Sequence, residues 1–182
     1  MSNEQRLFLY EFLSRVMADV LDIKFIQTLK NDRDFLEYIG PKSALWFESH
    51  DLQRLYDELN TDFSSMFLIN TQPIESLISQ NRQETPTGLA NETVAFYIKH
   101  GFDVDMSATD IAVADHLSLE FLFMKSLIEL DDKKTQDEFL KEHLSPWVIS
   151  YMISMKNMAQ TPFYRDICTL TAEFIAAELS RD

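Results

Sequence analysis

Asp115, His116 and Glu120 are the side chains of this sequence best placed to do chemistry. They lie in Ala114-Asp115-His116-Leu117-Ser118-Leu119-Glu120-Phe121-Leu122-Phe123-Met124, a stretch otherwise almost wholly apolar. Charged groups in such surroundings need partners or a wet cleft, because burying them alone costs several kcal/mol or more. Three chemistries are open to them. On one helix, His116 and Glu120 stand four residues apart on a shared face and could supply two metal ligands. A zinc site needs three or four, with further histidine or cysteine, and His50, His100 and His143 show no matching spacing. Paired Glu-x-x-His motifs of the diiron type are absent. General acid–base catalysis is open because imidazole titrates near neutrality. It lacks a companion, since there is no GxxxxGK[ST] or GxGxxG loop and no GxSxG elbow. The third chemistry is binding, with a carboxylate receiving a cationic ligand and the imidazole adding a hydrogen bond. Against all three stands a purely internal polar pair that ties two helices together. Cys168, beside Ile167 and Leu170, reads as an inert core thiol.

The elements that must position these residues read as helices. Leu9, Phe12, Leu13, Val16, Met17 and Val20 recur at three- and four-residue steps, giving a first amphipathic helix. A second is expected over residues 23–39, ending at Gly40-Pro41. Leu52, Leu55, Tyr56, Leu59, Phe63, Met66 and Phe67 define a third, and Val94, Tyr97 and Ile98 a fourth closed by Gly101. The central helix is expected from an N-cap near Asp110 to Asp131-Asp132, apolar on all sides and therefore deep in a bundle. Ser145-Pro146 reads as an N-cap with proline at the first helical position, so residues 136–157 form two helices or one kinked one. Thr161-Pro162 opens the last helix by the same device, with Phe163, Ile167, Leu170 and Phe174 facing inward. No stretch alternates with period two. The expected fold is all-α, one domain over 1–182: helices over 1–68, a long loop over 69–90 with a helical turn near 74–79, and helices over 91–182. A loop of that length inside a compact domain is expected to be functional or disordered.

Composition sets outer limits. A chain of 182 residues, 46% hydrophobic, can bury a substantial core. Three glycines and five prolines are too few for a sandwich or barrel with many tight turns. A lone cysteine excludes an internal disulfide and a multi-cysteine metal site. With no secretory leader and no apolar run near the roughly 20 residues of a membrane span, the expected location is the cytoplasm. The net charge of -14 repels nucleic acid and anionic membranes and favours basic partners.

Four segments in fixed order carry a resemblance. They are Asp62-Phe63-Ser64-Ser65-Met66-Phe67, then Pro73-Ile74-Glu75-Ser76, then Asp115-His116-Leu117-x-x-Glu120-x-x-Phe123-Met124, then His143-Leu144-x-x-Trp147. Tyr97, Gly101 and Phe102 add a fifth element. The pattern resembles the TorD/DmsD/NarJ family of redox-enzyme maturation proteins, on its TorD-like side, and runs from Asp62 onward. Two departures stand out: Leu68-Ile69-Asn70 follows Phe67 where Gly-Pro is frequent, and Glu75 precedes Ser76 where tryptophan is frequent.

The resemblance implies a non-enzymatic chaperone without a cofactor of its own. Its partner would be the apo form of a molybdopterin-dependent oxidoreductase, held through its body, its twin-arginine leader or both until the cofactor is inserted before export. The protein would be a monomer or a helix-exchanged dimer, binding no nucleic acid and inserting in no membrane. Residues matching the leader-binding region are Phe67, Pro73, Glu75, Ser76, Asp115 and His116, with Glu120 beside them. The chemistry suits that role: a guanidinium makes paired, charge-assisted hydrogen bonds to carboxylates, which Asp115, Glu75 and Glu120 could supply. Phe63, Met66 and Phe67 could line an adaptable apolar groove or simply be core. The competing reading is a small metal- or acid–base-dependent hydrolase using Asp115, His116 and Glu120.

Overall fold

A computed structural model describes residues 1–79, 83–102 and 111–181, and all regular structure among them is helical. A single isolated antiparallel bridge, Ile74 to His116, is the one extended pairing among these residues. Chain contacts form two compact units. The first comprises Met1–Ala18, Pro73–Val148 and Glu178–Asp182; the second comprises Asp19–Gln72 and Ile149–Ala177. No helix among the described residues is long and apolar enough to cross a membrane.

In the second unit, aspartates set the helix starts. Asp22 accepts the Lys24 and Phe25 N–H groups and opens α2 (Ile23–Asn31). Asp32 ends α2 and at once caps α3 (Arg33–Ile39) through the Phe35 N–H, so the single helix expected over 23–39 is two. That aspartate satisfies amide donors that would otherwise be orphaned at a helix start. Pro41 is the first residue of α4 (Pro41–Ser49), an element the hydrophobic pattern did not announce. Asp51 caps α5 (Leu52–Phe63), which runs on into a π-helical turn, Ser64–Asn70. Phe63 and Phe67 pack together and against Tyr164, and all three are buried. Asp62, also buried, accepts from the Gln160 and Thr161 N–H groups and the Thr161 hydroxyl. It thereby holds the turn between α10 (Val148–Met158) and α11 (Pro162–Leu179). Thr161 itself caps α11 by accepting from the Tyr164 N–H, as its sequence predicts. Cys168 is buried, and burial first, then Asp62, pushes its thiol up to about 12.

In the first unit α1 (Asn3–Ala18) packs along α8 (Leu117–Glu129). Leu117, Phe121, Met124 and Leu127 are fully buried, in keeping with the central place expected of α8, while Leu122 is turned outward. The helix starts at Leu117 rather than near 110; Asp110 itself lies outside the described residues. The cause is local: His116 is extended (φ -80°, ψ 135°) and its side chain caps the Ser118 N–H. Short α6 (Glu75–Ile78) confirms the helical turn expected inside the long loop. Asn91 caps α7 (Glu92–Lys99), and Gly101 follows it at φ 79°, where a side chain would be strained. α9 (Lys133–Phe139) begins at an Asp132 cap and continues into a π-helical turn, Leu140–Leu144. Ser145 does not cap a helix: it is itself helical, its N–H closing on Leu140 O, and α10 begins at Val148. The unit's core is aromatic, with Phe96, Tyr97, Phe123 and Phe139 in mutual ring contact.

Candidate functional site

Six of the seven residues singled out in the sequence come together within the first unit, although 42 or more positions separate Pro73 and Ile74 from His116 in the chain. Backbone does the joining. Glu75 N–H donates to Asp115 O at 3.0 Å, and Leu117 N–H donates to Pro73 O at 2.9 Å. Asp115 adds its side chain, Oδ2 accepting the Ser76 N–H at 3.0 Å. One aspartate therefore fixes the start of α6 against the start of α8 with both its carbonyl and its carboxylate. Phe67, the seventh, belongs to the second unit and is packed away in that unit's core, as are Phe63 and Met66.

Around this joint lies an acidic niche. Glu75 accepts from the Thr93 hydroxyl and from His143 Nδ1 at 3.0 Å. A carboxylate only accepts, so Nδ1 of His143 carries the proton in that bond. Glu120, one turn into α8, faces Glu75, and neither of its oxygens meets an N–H or O–H donor among the described residues. Burial first, then the charges of Glu75 and Asp115, push the Glu120 carboxyl well above the usual carboxylate range. It is held neutral. Asp115 and Glu120 are 0 % exposed, and Pro73, Glu75 and Ser76 are buried. Among the described residues Asp115 Oδ1 and Ser76 Oγ also find no partner, so acceptor capacity is left over at the centre of the niche. Buried acceptors of this kind are costly and uncommon.

His116 is the exception in exposure, being only partly covered. Its Nδ1 accepts the Ser118 N–H at 3.3 Å and lies 2.8 Å from Ser118 Oγ. Burial lowers its pKa to about 4 despite the raising effect of Asp115, so the ring is neutral at neutral pH with its proton on Nε2. Tyr97 borders the niche from α7: its hydroxyl points to Ala114 O at 3.4 Å. Burial, followed by the charges of Glu120, Glu75 and Asp115, holds that phenol well above its ordinary value.

Tyr97 also borders a pocket of about 260 Å³. Its walls are residues 85–88, Val94 and Ile98 of α7, Phe102, and Ala112, Val113 and Ala114, the three residues leading directly to Asp115. An apolar pocket and an acidic niche thus share one wall. Among the described residues no group of three or more His, Cys, Asp or Glu side chains is arranged to hold a metal ion, so His116 and Glu120 do not complete a ligand set.

The sequence model of the nitrate reductase delta subunit family matches residues 33–151, which takes in α3 through the start of α10 and the whole niche. The chain belongs to the nitrate reductase delta subunit family. Two of the relatives it matches are similar over nearly its full length. Chaperone protein TorD of Pasteurella multocida is 23% identical over 97% of this chain and 96% of its own. Chaperone protein TorD of Vibrio parahaemolyticus is 26% identical over 94% and 92% respectively. An uncharacterized protein of Haemophilus influenzae is 25% identical over 72% of this chain and 77% of its own. No solved structure matches. The family match starts well before Asp62, so the likeness reaches helices whose sequences carry no motif. Thr93 and His143, the partners of Glu75, were not singled out as site residues; His143 falls in the His-Leu-x-x-Trp segment, but nothing in sequence links it to Glu75.

Proposed function

We propose that this redox-enzyme maturation chaperone acts in the cytoplasm on a molybdopterin-dependent oxidoreductase, binding the client's basic, apolar twin-arginine leader with its first unit. What carries the reading is the acidic niche with spare acceptors set against an apolar pocket. A leader joins those two chemistries: guanidinium groups are donors with no acceptor, and the run that follows them is greasy. Asp115 Oδ1 and the Glu120 carboxyl offer acceptors to a guanidinium, and the pocket beside Ala112, Val113 and Ala114 offers a place for apolar side chains. Since the niche is closed, docking requires residues 73–76 to shift away from Asp115, breaking the short bridge that holds them. Two relatives that bear the name of a TorD chaperone over almost their whole length support the same reading. The role asks for no catalysis. The hydrolase reading finds no favouring observation, because His116 is committed to capping α8 and no metal ligand set accompanies it.

The test is calorimetric titration of the full chain with a synthetic twin-arginine leader. Asp115→Ala is a poor probe, as it would strand the Ser76 N–H. Asp115→Asn keeps an acceptor there and removes the charge. It is expected to weaken leader binding about ten- to a hundredfold, the value of one or two charge-assisted hydrogen bonds, with little change in the circular dichroism spectrum. Equal affinity for both proteins would remove Asp115 from the site.

A further inference from the structure

Glu120 brings a second carboxyl into the niche beside Glu75. Glu75 is already bonded by Thr93 and His143. Glu120 is fully buried, and neither of its oxygens finds a donor among the described residues. A carboxylate buried without a donor or a cation is too costly to stay ionised, so Glu120 holds a proton. The groups facing Glu120 are Glu75 from α6, Asp115 from the turn before α8 and Tyr97 from α7, with His143 behind Glu75. Alongside, Ser14 of α1 donates its hydroxyl to Ser118 O. Among the described residues no cation is paired with Glu120, so a proton neutralises it.

A guanidinium entering here changes that balance. It brings a positive charge and several N–H donors to the face where Asp115 Oδ1, Ser76 Oγ and Glu120 lack partners. The cation removes the reason for Glu120 to hold its proton. We infer that the niche takes up a guanidinium in exchange for the proton held by Glu120, one proton leaving to solvent for each cation bound. This rests on the leader-binding reading and adds to it a dependence on pH: the client's leader is held more tightly as the surroundings become more alkaline. Raised proton affinity of Glu120 supports the exchange, and the complete burial of its two unpartnered oxygens is its basis.

The experiment is a titration with an N-acetylated leader peptide free of histidine, run in phosphate, HEPES and Tris at pH 7. The exchange requires an observed enthalpy that varies linearly with buffer ionisation enthalpy and corresponds to release of about one proton. Between pH 6 and pH 8 affinity should rise by up to tenfold per unit, one proton's worth of linkage. In Glu120→Gln the release should vanish and affinity become flat with pH; Glu120→Gln keeps shape and neutrality, and its thermal midpoint checks folding. Binding with the same enthalpy in every buffer would overturn the exchange and leave leader binding standing. Proton release that survives Glu120→Gln would show that the proton comes from another group and would also overturn it. Absence of binding by the wild-type protein would remove the leader-binding reading itself. If Glu120→Gln failed to fold, the wild-type buffer series alone would still decide whether a proton leaves.

Discussion

At the residue scale, the structure turns single atoms into measurable outcomes. His116 is neutral in the folded protein, its pKa lowered to about 4 by burial. The unfolded chain takes up that proton at its ordinary value near 6.5. Between those limits the unfolded state binds more protons, so stability falls as pH drops from 6.5 through 4. His116→Asn, which keeps a capping acceptor, should flatten this acid-side loss in urea denaturation curves at pH 7, 5.5 and 4.5. Gly40 illustrates a different constraint. Its φ is an ordinary extended one, but a Cβ there would overlap the Asp166 side chain, including its Cβ. Asp166 cannot swing off without releasing the Ser43 N–H and hydroxyl at 3.2 and 2.8 Å. Gly40→Ala should therefore destabilise by about 1–3 kcal/mol through overpacking, read as a lower urea midpoint. Asp115, His116 and Glu120 were conspicuous in sequence because charge among apolar residues is conspicuous. Thr93 and His143 were not, since a hydrogen bond to Glu75 across 18 or 68 residues leaves no local pattern.

At the element scale, helix existence was legible and helix boundaries less so. Residues 111–116 are apolar enough to read as helix, yet the Asp115 carbonyl and carboxylate are both spent on α6, and the stretch stays out of the helix. Likewise Asp32 splits a continuous amphipathic pattern because capping two helices through one residue outweighs a few tenths of a kcal/mol of helix propensity. A buried pairing no pattern suggested ties α1 to the end of α11. Arg6 Nε and Nη2 donate to Glu178 at 2.7–3.0 Å, Nη2 also reaches Gln136 Oε1, and Tyr10 adds its hydroxyl. Breaking such a pair strands a buried guanidinium. Glu178→Ala is expected to cost about 3–5 kcal/mol, measured by denaturant titration; a loss under 1 kcal/mol would show that solvent reaches Arg6.

At the scale of the whole molecule, charge is the property that acts at a distance. With thirty acidic and sixteen basic residues the chain attracts a basic partner, such as the leader proposed above, before contact, and salt screens that attraction. Raising ionic strength from 0.05 to 0.3 M should slow association several-fold in stopped-flow measurements while changing dissociation much less. A salt-independent association rate would confine the electrostatics to the niche. Composition and helical periodicity by themselves determined the all-α fold, the helix start at Thr161-Pro162, the helix ends at Gly40 and Gly101 and the acidic charge of the chain, because each depends on neighbours within a turn or on a simple sum. The motifs in order determined the family. Only tertiary structure decided that the first unit draws on three separated stretches of chain, that α6 and α8 meet at Asp115, and that Glu75 and Glu120 share one buried site. Burial and orphaned acceptors are relations between residues distant in sequence, and those relations exist only once the chain has folded.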